Sequence, residues 1–569
     1  MTAERSRVRR ESTNKGTEKM TYSTLKTDAL IIGSGLSGLL AAKKILEKTS
    51  DKKIIMLGDG WGASPYVHGF NMPLRADDSV EIFEDDTLKS GKFQSIPTLA
   101  RTLCSGAEDV KEVLGELGIE FDRAPDGSYK LLRPLGASIP RVASVGNHTG
   151  IEIMKKVREI LESSDRFTKI KGRALRLLVN NGHAWGALVY VKETQEFVLI
   201  ESQVTVLATG GFCNIYPFST NKSDIGGDGI AMSYYAGASL TDLEFVQFEP
   251  SAAVSPKKLR GQSVITTMYY EGAVMKNALG QRFMLEYSDA AECVDKDVQS
   301  RCIYREIQEG RGTENGGVYF DATGVGEKKL NEMYSSYVTR YKNVGIDIST
   351  TPFEIAPAPH TSLGGVTVDE KCNTEIEGLI ACGEIIGGLH GANRAGGNAG
   401  LETLVFGTIA GNTAADYMLN NIMGCGVSKR VCDRFVSSIT EREADYSIDE
   451  QELRSMREDL RSILDKKLSV LRCGTDLESA KNELSAMLSK INSAKTENVP
   501  SNEVFKLIRL ENDVTCALLL CLSALERDMT IGCHVRTDCP ADTNEGERYR
   551  VSIKNTKSGA NVTKLPLEK

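Results

Sequence analysis

The chain changes character three times between Thr27 and Leu57. TDALII (27–32) is a short apolar run of β-forming residues, and Gly33 to Gly38 carry little side chain. LLAAKKILEK has the make-up of a strong helix former, and KKIIML supplies a second strand that ends at Leu57. Strand, glycine turn, helix and strand in that order predict a βαβ unit. Later apolar runs return to the same sheet. VTVLATGGF, from Val204 to Phe212, ends on Thr209, Gly210 and Gly211; IGGDGIAMSYYAGASL opens a helix with Asp228 near its start; and GLIACG is strand-like. Beyond about Val427 the period changes. ELRSMREDLRSILDKKL and ESAKNELSAMLSKI space apolar residues at i, i+4 and predict amphipathic helices, followed from about Pro540 by a polar tail.

Length sharpens this into several domains, because 569 residues exceed what one core usually organises. The hydrophobic fraction of 41% suits a globular chain, and no apolar stretch reaches the roughly 18 residues of a membrane helix. A net charge of −8 with scattered basic residues argues against nucleic acid as a partner. The 13 cysteines form no C-x-x-C pair, so neither a metal site nor a cluster-binding run is expected, and an odd count points to reduced thiols in a cytoplasmic protein. The first 19 residues lack the apolar core of a secretory signal and read as part of a disordered tail over 1–21.

The glycine turn is the first candidate site. In Gly33-Ser34-Gly35-Leu36-Ser37-Gly38, Gly33 permits the tight turn, Gly35 lets backbone reach a pyrophosphate, and Gly38 lets the helix pack on the strand. An acidic residue for the ribose hydroxyls is expected about 20 residues on. Asp59 holds that place, with a solvated turn carboxylate as the alternative reading. The second candidate is Pro357 to Asn398, where His360, Glu384, His390 and Arg394 sit among glycines. So much glycine is costly to order, and a large bound cofactor would offset the cost.

GSGLSG, LATGGF, GGDGIAM, EFVQF, PHTSLGG, GEIIGGLHGANRAGGN and the late GCHVRTDCP resemble, in order and spacing, the flavoprotein subunits of succinate dehydrogenase and fumarate reductase, and also L-aspartate oxidase. The likeness runs from Thr27 to about Pro540. It implies an α/β fold: a Rossmann-like FAD-binding domain (22–245 and 348–424), an inserted α+β capping domain (246–347) and a C-terminal helical domain (427–569). It also implies FAD on Gly33, Ser34, Gly35, Ser37 and Gly38, with Asp59, Ser64, Thr209, Gly210, Asp228, Glu384 and Asn398 as further contacts. Some relatives attach FAD covalently to a histidine. Ser64-Pro65 stands where that serine–histidine pair is expected, so noncovalent FAD is implied although His68 lies near. His390 is expected to shape the flavin loop and His534 to support an interdomain contact.

In these relatives a hydride passes between flavin N5 and a dicarboxylate, and a proton passes at the neighbouring carbon. The resemblance implies that Arg394 grips a substrate carboxylate and that His360 donates a hydrogen bond to the same molecule. Three departures fall on the opposite wall. Glu249 replaces a substrate-contacting histidine, SVITTMYYEGAVM keeps Thr266 but shows Thr267, Met268, Tyr269 and Tyr270, and Lys296 stands where an arginine donates the proton. Arg301 and Arg305 follow on the same helical segment. A buried Glu249 would repel an anion unless protonated or paired, and the two tyrosines could line a bulkier apolar pocket. The expected function is an FAD oxidoreductase acting on a carboxylate-bearing enoate other than standard fumarate, with electrons from a separate iron–sulfur or similar partner. An aspartate-oxidase-like enzyme and a non-catalytic electron relay are the alternatives.

Overall fold

The computed structural model describes residues 22–146, 148–421, 426–541 and 548–567. The expected tail over 1–21 lies outside them. β1 (Ala29–Ile32), β2 (Ile54–Leu57), β3 (Phe167–Ile170), β4 (Val204–Leu207) and β5 (Leu379–Ala381) form one parallel sheet in the order β5, β4, β1, β2, β3. Every residue of ALII, IIML, VTVL and LIA is buried, as apolar runs covered on both faces should be. Gly33 leaves β1 at φ +124°, and a Cβ there would lie 2.0 Å from the carbonyl oxygen of Ala208, just past β4. The turn therefore needs glycine for both conformation and space. α1 (Leu36–Lys48) begins at once, and Gly38 packs so closely that a Cβ would sit 2.2 Å from Gly33 O.

The segment between β4 and β5 has its own apolar cluster, running from Ala253 to Ile355 and including Phe283, Phe320, Tyr337 and Tyr341. Its antiparallel sheet pairs the strands Val246–Ala253, Phe353–Ser362, Val318–Asp321 and Val274–Lys276 in that order. The strand Phe353–Ser362, assigned from sequence to the returning FAD domain, thus pairs within the insertion's sheet. α2 (Lys296–Gln308) and α3 (Ser335–Lys342) pack on it. Pro250, Pro357 and Pro359 cannot donate to the ladder, and its register slips twice beside them, between Gln247 and Phe248 and between Glu249 and Ala252. At the first slip Gln247 faces Thr361 and Phe248 faces Pro359, so His360 is the extra, bulged residue.

α4 (Asn398–Asn420) follows the glycine block and lies along α1, where a Cβ on Gly411 would be 2.6 Å from Ala41 O. α5 (Glu450–Lys467) and α6 (Gly474–Asn492) are the two amphipathic helices read from sequence, and the largely buried α7 (Ser501–Glu526) packs against both. The polar stretch after Pro540 is more than a tail. Tyr549–Thr556 and Gly559–Pro566 form a hairpin whose first strand pairs with Leu240–Thr241. Among the described residues no helix is long and apolar enough to cross a membrane.

Substituting Gly33 by alanine should force backbone apart at both Gly33 and Ala208. A loss of about 2 kcal/mol or more is expected, read as a lowered urea midpoint.

Candidate active site

One cleft runs from the glycine turn to the insertion, enclosing about 420 Å³, and opens at its Asp59 end into a wider cavity of about 1030 Å³. The turn forms its floor. The Leu36 N–H donates to Ser64 Oγ at 2.9 Å, and Ser34 Oγ donates to Gly60 O at 2.7 Å, so the entry of α1 is braced by the loop after β2. Ser64, in place of the expected histidine-bearing pair, is thereby committed to the helix entry. Thr209 and Gly210 line the cleft after β4, and the buried Thr209 Oγ1 has no protein partner. A floor of small residues, Gly33, Ser34, Gly35, Gly58 and Gly60, beside the N-terminus of α1 fits a phosphate-linked cofactor.

Twelve of the fifteen sequence candidates line this cleft: Gly33, Ser34, Gly35, Ser37, Asp59, Ser64, Thr209, Gly210, Lys296, His360, Glu384 and Arg394. Three stand behind the wall. Gly38 serves the packing of α1. Asp228 is buried, accepting from Arg173 Nη1 at 2.8 Å and from Asn512 Nδ2 at 2.9 Å, so it ties α7 to the sheet side. Burial pushes its carboxyl pKa up, but Arg509, Arg173 and Asn512 bring the net shift down. Asn398 accepts from Asn71 Nδ2 at 2.6 Å and donates to Thr87 Oγ1, which anchors the start of α4, while its neighbours Gly397, Ala399 and Gly400 face the cleft. Asp59 lines the cleft, yet its carboxylate already meets Lys192 Nζ at 2.6 Å and Arg173 Nε at 3.1 Å.

The opposite end gathers the chemistry. Lys296, the first residue of α2, donates to Glu249 Oε2 at 2.5 Å, and Ser251 Oγ, which donates to Val264 O at 2.7 Å, lies 3.1 Å from Glu249 Oε1. Burial raises the Glu249 carboxyl, but the Lys296 ammonium beside it outweighs that and holds it below its ordinary value. The departure that looked hostile to an anion is therefore a neutralised pair. Arg394 is buried, with Nε donating to Gln247 Oε1 at 3.1 Å and Nη1 to Ala395 O at 3.3 Å, while Gln247 Nε2 returns bonds to Asn393 and Arg394 O. Its fork is thus fixed before any ligand arrives. Desolvation drives His360 down to about 3, with Lys296 and Arg394 adding to that and Glu249 opposing it, so the imidazole is neutral. Glu384 accepts from the Ser362 N–H at 3.0 Å, and burial pushes it up to about 7.

The two tyrosines lie elsewhere. Tyr269 is buried against Phe320 inside the insertion and Tyr270 lies 40% exposed; neither lines the cleft. Arg301 and Arg305 are also off it. His390 bonds Glu402 Oε2 at 3.0 Å behind the glycine block, and His534 accepts from Arg472 Nη1 at 3.0 Å in the core. The sequence reading missed Tyr337 and Arg340 on α3 and Thr220, Asn221 and Lys222 in the loop after β4, all of which line the cleft. Arg340 donates to Ser263 O at 3.3 Å and stacks 4.8 Å from the Tyr337 ring centre, with no carboxylate partner among the described residues. A cation three residues from a tyrosine on a short helix gives no local sign that it faces a cleft.

Residues 28–399 match the FAD binding domain family, and 457–567 match the fumarate reductase flavoprotein C-terminal family. The chain belongs to the fumarate reductase and succinate dehydrogenase flavoproteins. It is 35% identical over 539 residues to one of the subunits of fumarate reductase (CoM/CoB) from Methanothermobacter marburgensis, covering 92% of this chain and 96% of that protein. It is 30% identical to the chloroplastic L-aspartate oxidase of Oryza sativa subsp. japonica, over 90% and 82% of the two chains. Its fold superposes on Mycobacterium smegmatis Sdh1 in complex with UQ1 with a TM-score of 0.84 at 25% identity, covering 96% and 95%. The family's cofactor is FAD, and the floor of this cleft suits it. This flavoprotein is an FAD-dependent oxidoreductase.

Replacing Lys296 by methionine should leave Glu249 buried without its cation and cost about 3 kcal/mol or more. Adding Glu249→Gln should recover most of that loss in the same denaturation series. His360 has a folded pKa below the unfolded value of 6.5, so the unfolded chain takes the proton first as pH falls. Its stability contribution is whole above that pH and declines toward about 3, and His360→Gln should flatten this part of the urea-midpoint profile.

Proposed function

We propose that this enzyme interconverts a carboxylate-bearing enoate and its saturated acid, working as the flavin-bearing part of a larger electron-transfer assembly. The observation that carries this reading is the convergence of a preset guanidinium, a neutral imidazole and an ammonium on one end of a flavin cleft. Arg394 holds a substrate carboxylate in its fixed fork, and His360 donates a second bond to the same ligand. Lys296, held at the wall by Glu249, delivers the proton to the carbon next to the one that receives hydride. FAD, when bound, supplies the hydride exchange. The insertion closes the far side with α3 and excludes water from the reacting carbons.

Arg340 adds a second unpaired cation to this end, while Lys296 and Glu249 cancel. The pocket therefore favours an anion, and the altered residues at 249, 267 and 296 support a substrate other than standard fumarate. Noncovalent FAD follows from Ser64 and Pro65 at the attachment position. The electrons come from a partner: among the described residues no group of cysteine, histidine or carboxylate side chains could hold a metal, and the Methanothermobacter relative is itself named as one subunit of its enzyme. The free cysteines fit a reducing cytoplasm.

Purified FAD-loaded protein should reduce at least one enoate with reduced viologen, and Arg394→Gln should lower kcat/KM on the order of a thousandfold. Inactivity across a broad enoate panel, fumarate included, together with oxygen-dependent peroxide release from aspartate, would establish the oxidase reading instead. The flavin should leave the acid-denatured protein.

A further inference from the structure

His360 has two ring nitrogens, and the one that carries the proton decides whether the ring gives or takes a hydrogen bond at the cleft. Three consecutive loop residues strap the bulge in which it sits. Thr220 N–H and Ser219 Oγ donate to Pro359 O at 3.1 and 3.0 Å, Asn221 Nδ2 donates to His360 O at 2.7 Å, and Thr220 Oγ1 lies 2.7 Å from His360 Nδ1. The Thr220 hydroxyl has one proton and two acceptors in reach, His360 Nδ1 at 2.7 Å and Pro359 O at 3.4 Å. Pro359 O already accepts from Thr220 N–H and Ser219, which fills both lone pairs. The short contact takes the proton.

From this geometry we propose that Thr220 is a positioning residue: its hydroxyl donates to His360 Nδ1 and fixes the Nε2–H tautomer, so that the ring presents a donor to the substrate. The charged groups around the ring are Glu249, Lys296 and Arg394, and burial among them keeps the imidazole neutral, so the donor carries no charge of its own. A substrate carboxylate or carbonyl oxygen matches Nε2–H. An ammonium group, which can only donate, does not. The strap thus biases this end of the cleft toward an oxygen acceptor and makes His360 a fixed donor rather than a base. This inference rests on the proposed carboxylate site but is tested separately from it.

The test uses FAD-loaded full-length protein labelled with 15N-histidine, with the His360 signals assigned by their loss in His360→Gln. A pyridine-type Nδ1 and a pyrrole-type Nε2 are expected in the wild type and in Thr220→Ser. In Thr220→Val the Nδ1 signal should move toward protonated character. Malonate, a dicarboxylate that cannot be reduced, is the binding probe, followed through the flavin absorbance. Thr220→Val should weaken it about tenfold and Thr220→Ser by about twofold or less. A pyrrole-type Nδ1 in the wild type, or a Thr220→Val protein with unchanged signals and unchanged malonate affinity, would overturn the proposal. Malonate that fails to bind wild type while the nitrogen signals come out as expected would count against the carboxylate reading and leave the tautomer assignment standing.

Discussion

The ion pair between Lys296 and Glu249 is the constraint on which the insertion end of the cleft depends. Glu249 has 2% of its side chain exposed, and a carboxylate so far from water is tolerable only with a cation against it. The pair therefore fixes the first turn of α2 to the strand Val246–Ala253, and it sets the charge of the wall. With those two charges cancelled, Arg394 and Arg340 are the cations that face this end of the cleft without a carboxylate partner among the described residues. Lysine suits this arrangement because its ammonium is a compact donor at the end of a flexible stem, able to stay on Glu249 or turn to a ligand.

Around that pair the backbone is shaped by what proline cannot do. Pro250, Pro357 and Pro359 leave gaps in an otherwise continuous ladder, and the register slips at both places. The first slip turns His360 out of the regular alternation and frees the carbonyl of Pro359, which the loop at 219–220 then satisfies. A polar loop that would otherwise be surface is thus drawn onto the site. The same logic keeps the two chain halves in register elsewhere: Arg527 at the end of α7 donates to Asp242 and Glu244 just before the insertion, and all three are buried. Asp228 and Asn512 make a second buried connection near the middle of α7. The helix α7 thus braces the start of the insertion and the sheet side before it, through contacts far apart in sequence.

Local sequence determined the βαβ unit, the glycine turn and the two amphipathic helices α5 and α6, because each is encoded by propensity and period within a short window. Motif spacing determined the cofactor, and it named most of the residues that reach the cleft. It could not show where the polar atoms of Asp228 and Asn398 are spent, which only the arrangement of Arg173, Asn512, Asn71 and Thr87 around them decides. Tyr269 and Tyr270 erred for a related reason. Their short 3-10 turn sends one ring into the insertion's core and the other to solvent, an orientation that no local pattern fixes.

Tertiary structure alone decided the state of the substrate wall. That Glu249 is paired, that His360 is neutral and held by Thr220, and that Arg340 faces the cleft all follow from contacts spanning 47 to 140 residues of sequence or from the placement of a separate helix. The physical reason is that charge state and donor direction depend on which groups share a dry volume. A sequence sets the groups, but only the folded chain brings Lys296 to Glu249 and the 219–221 strap to His360.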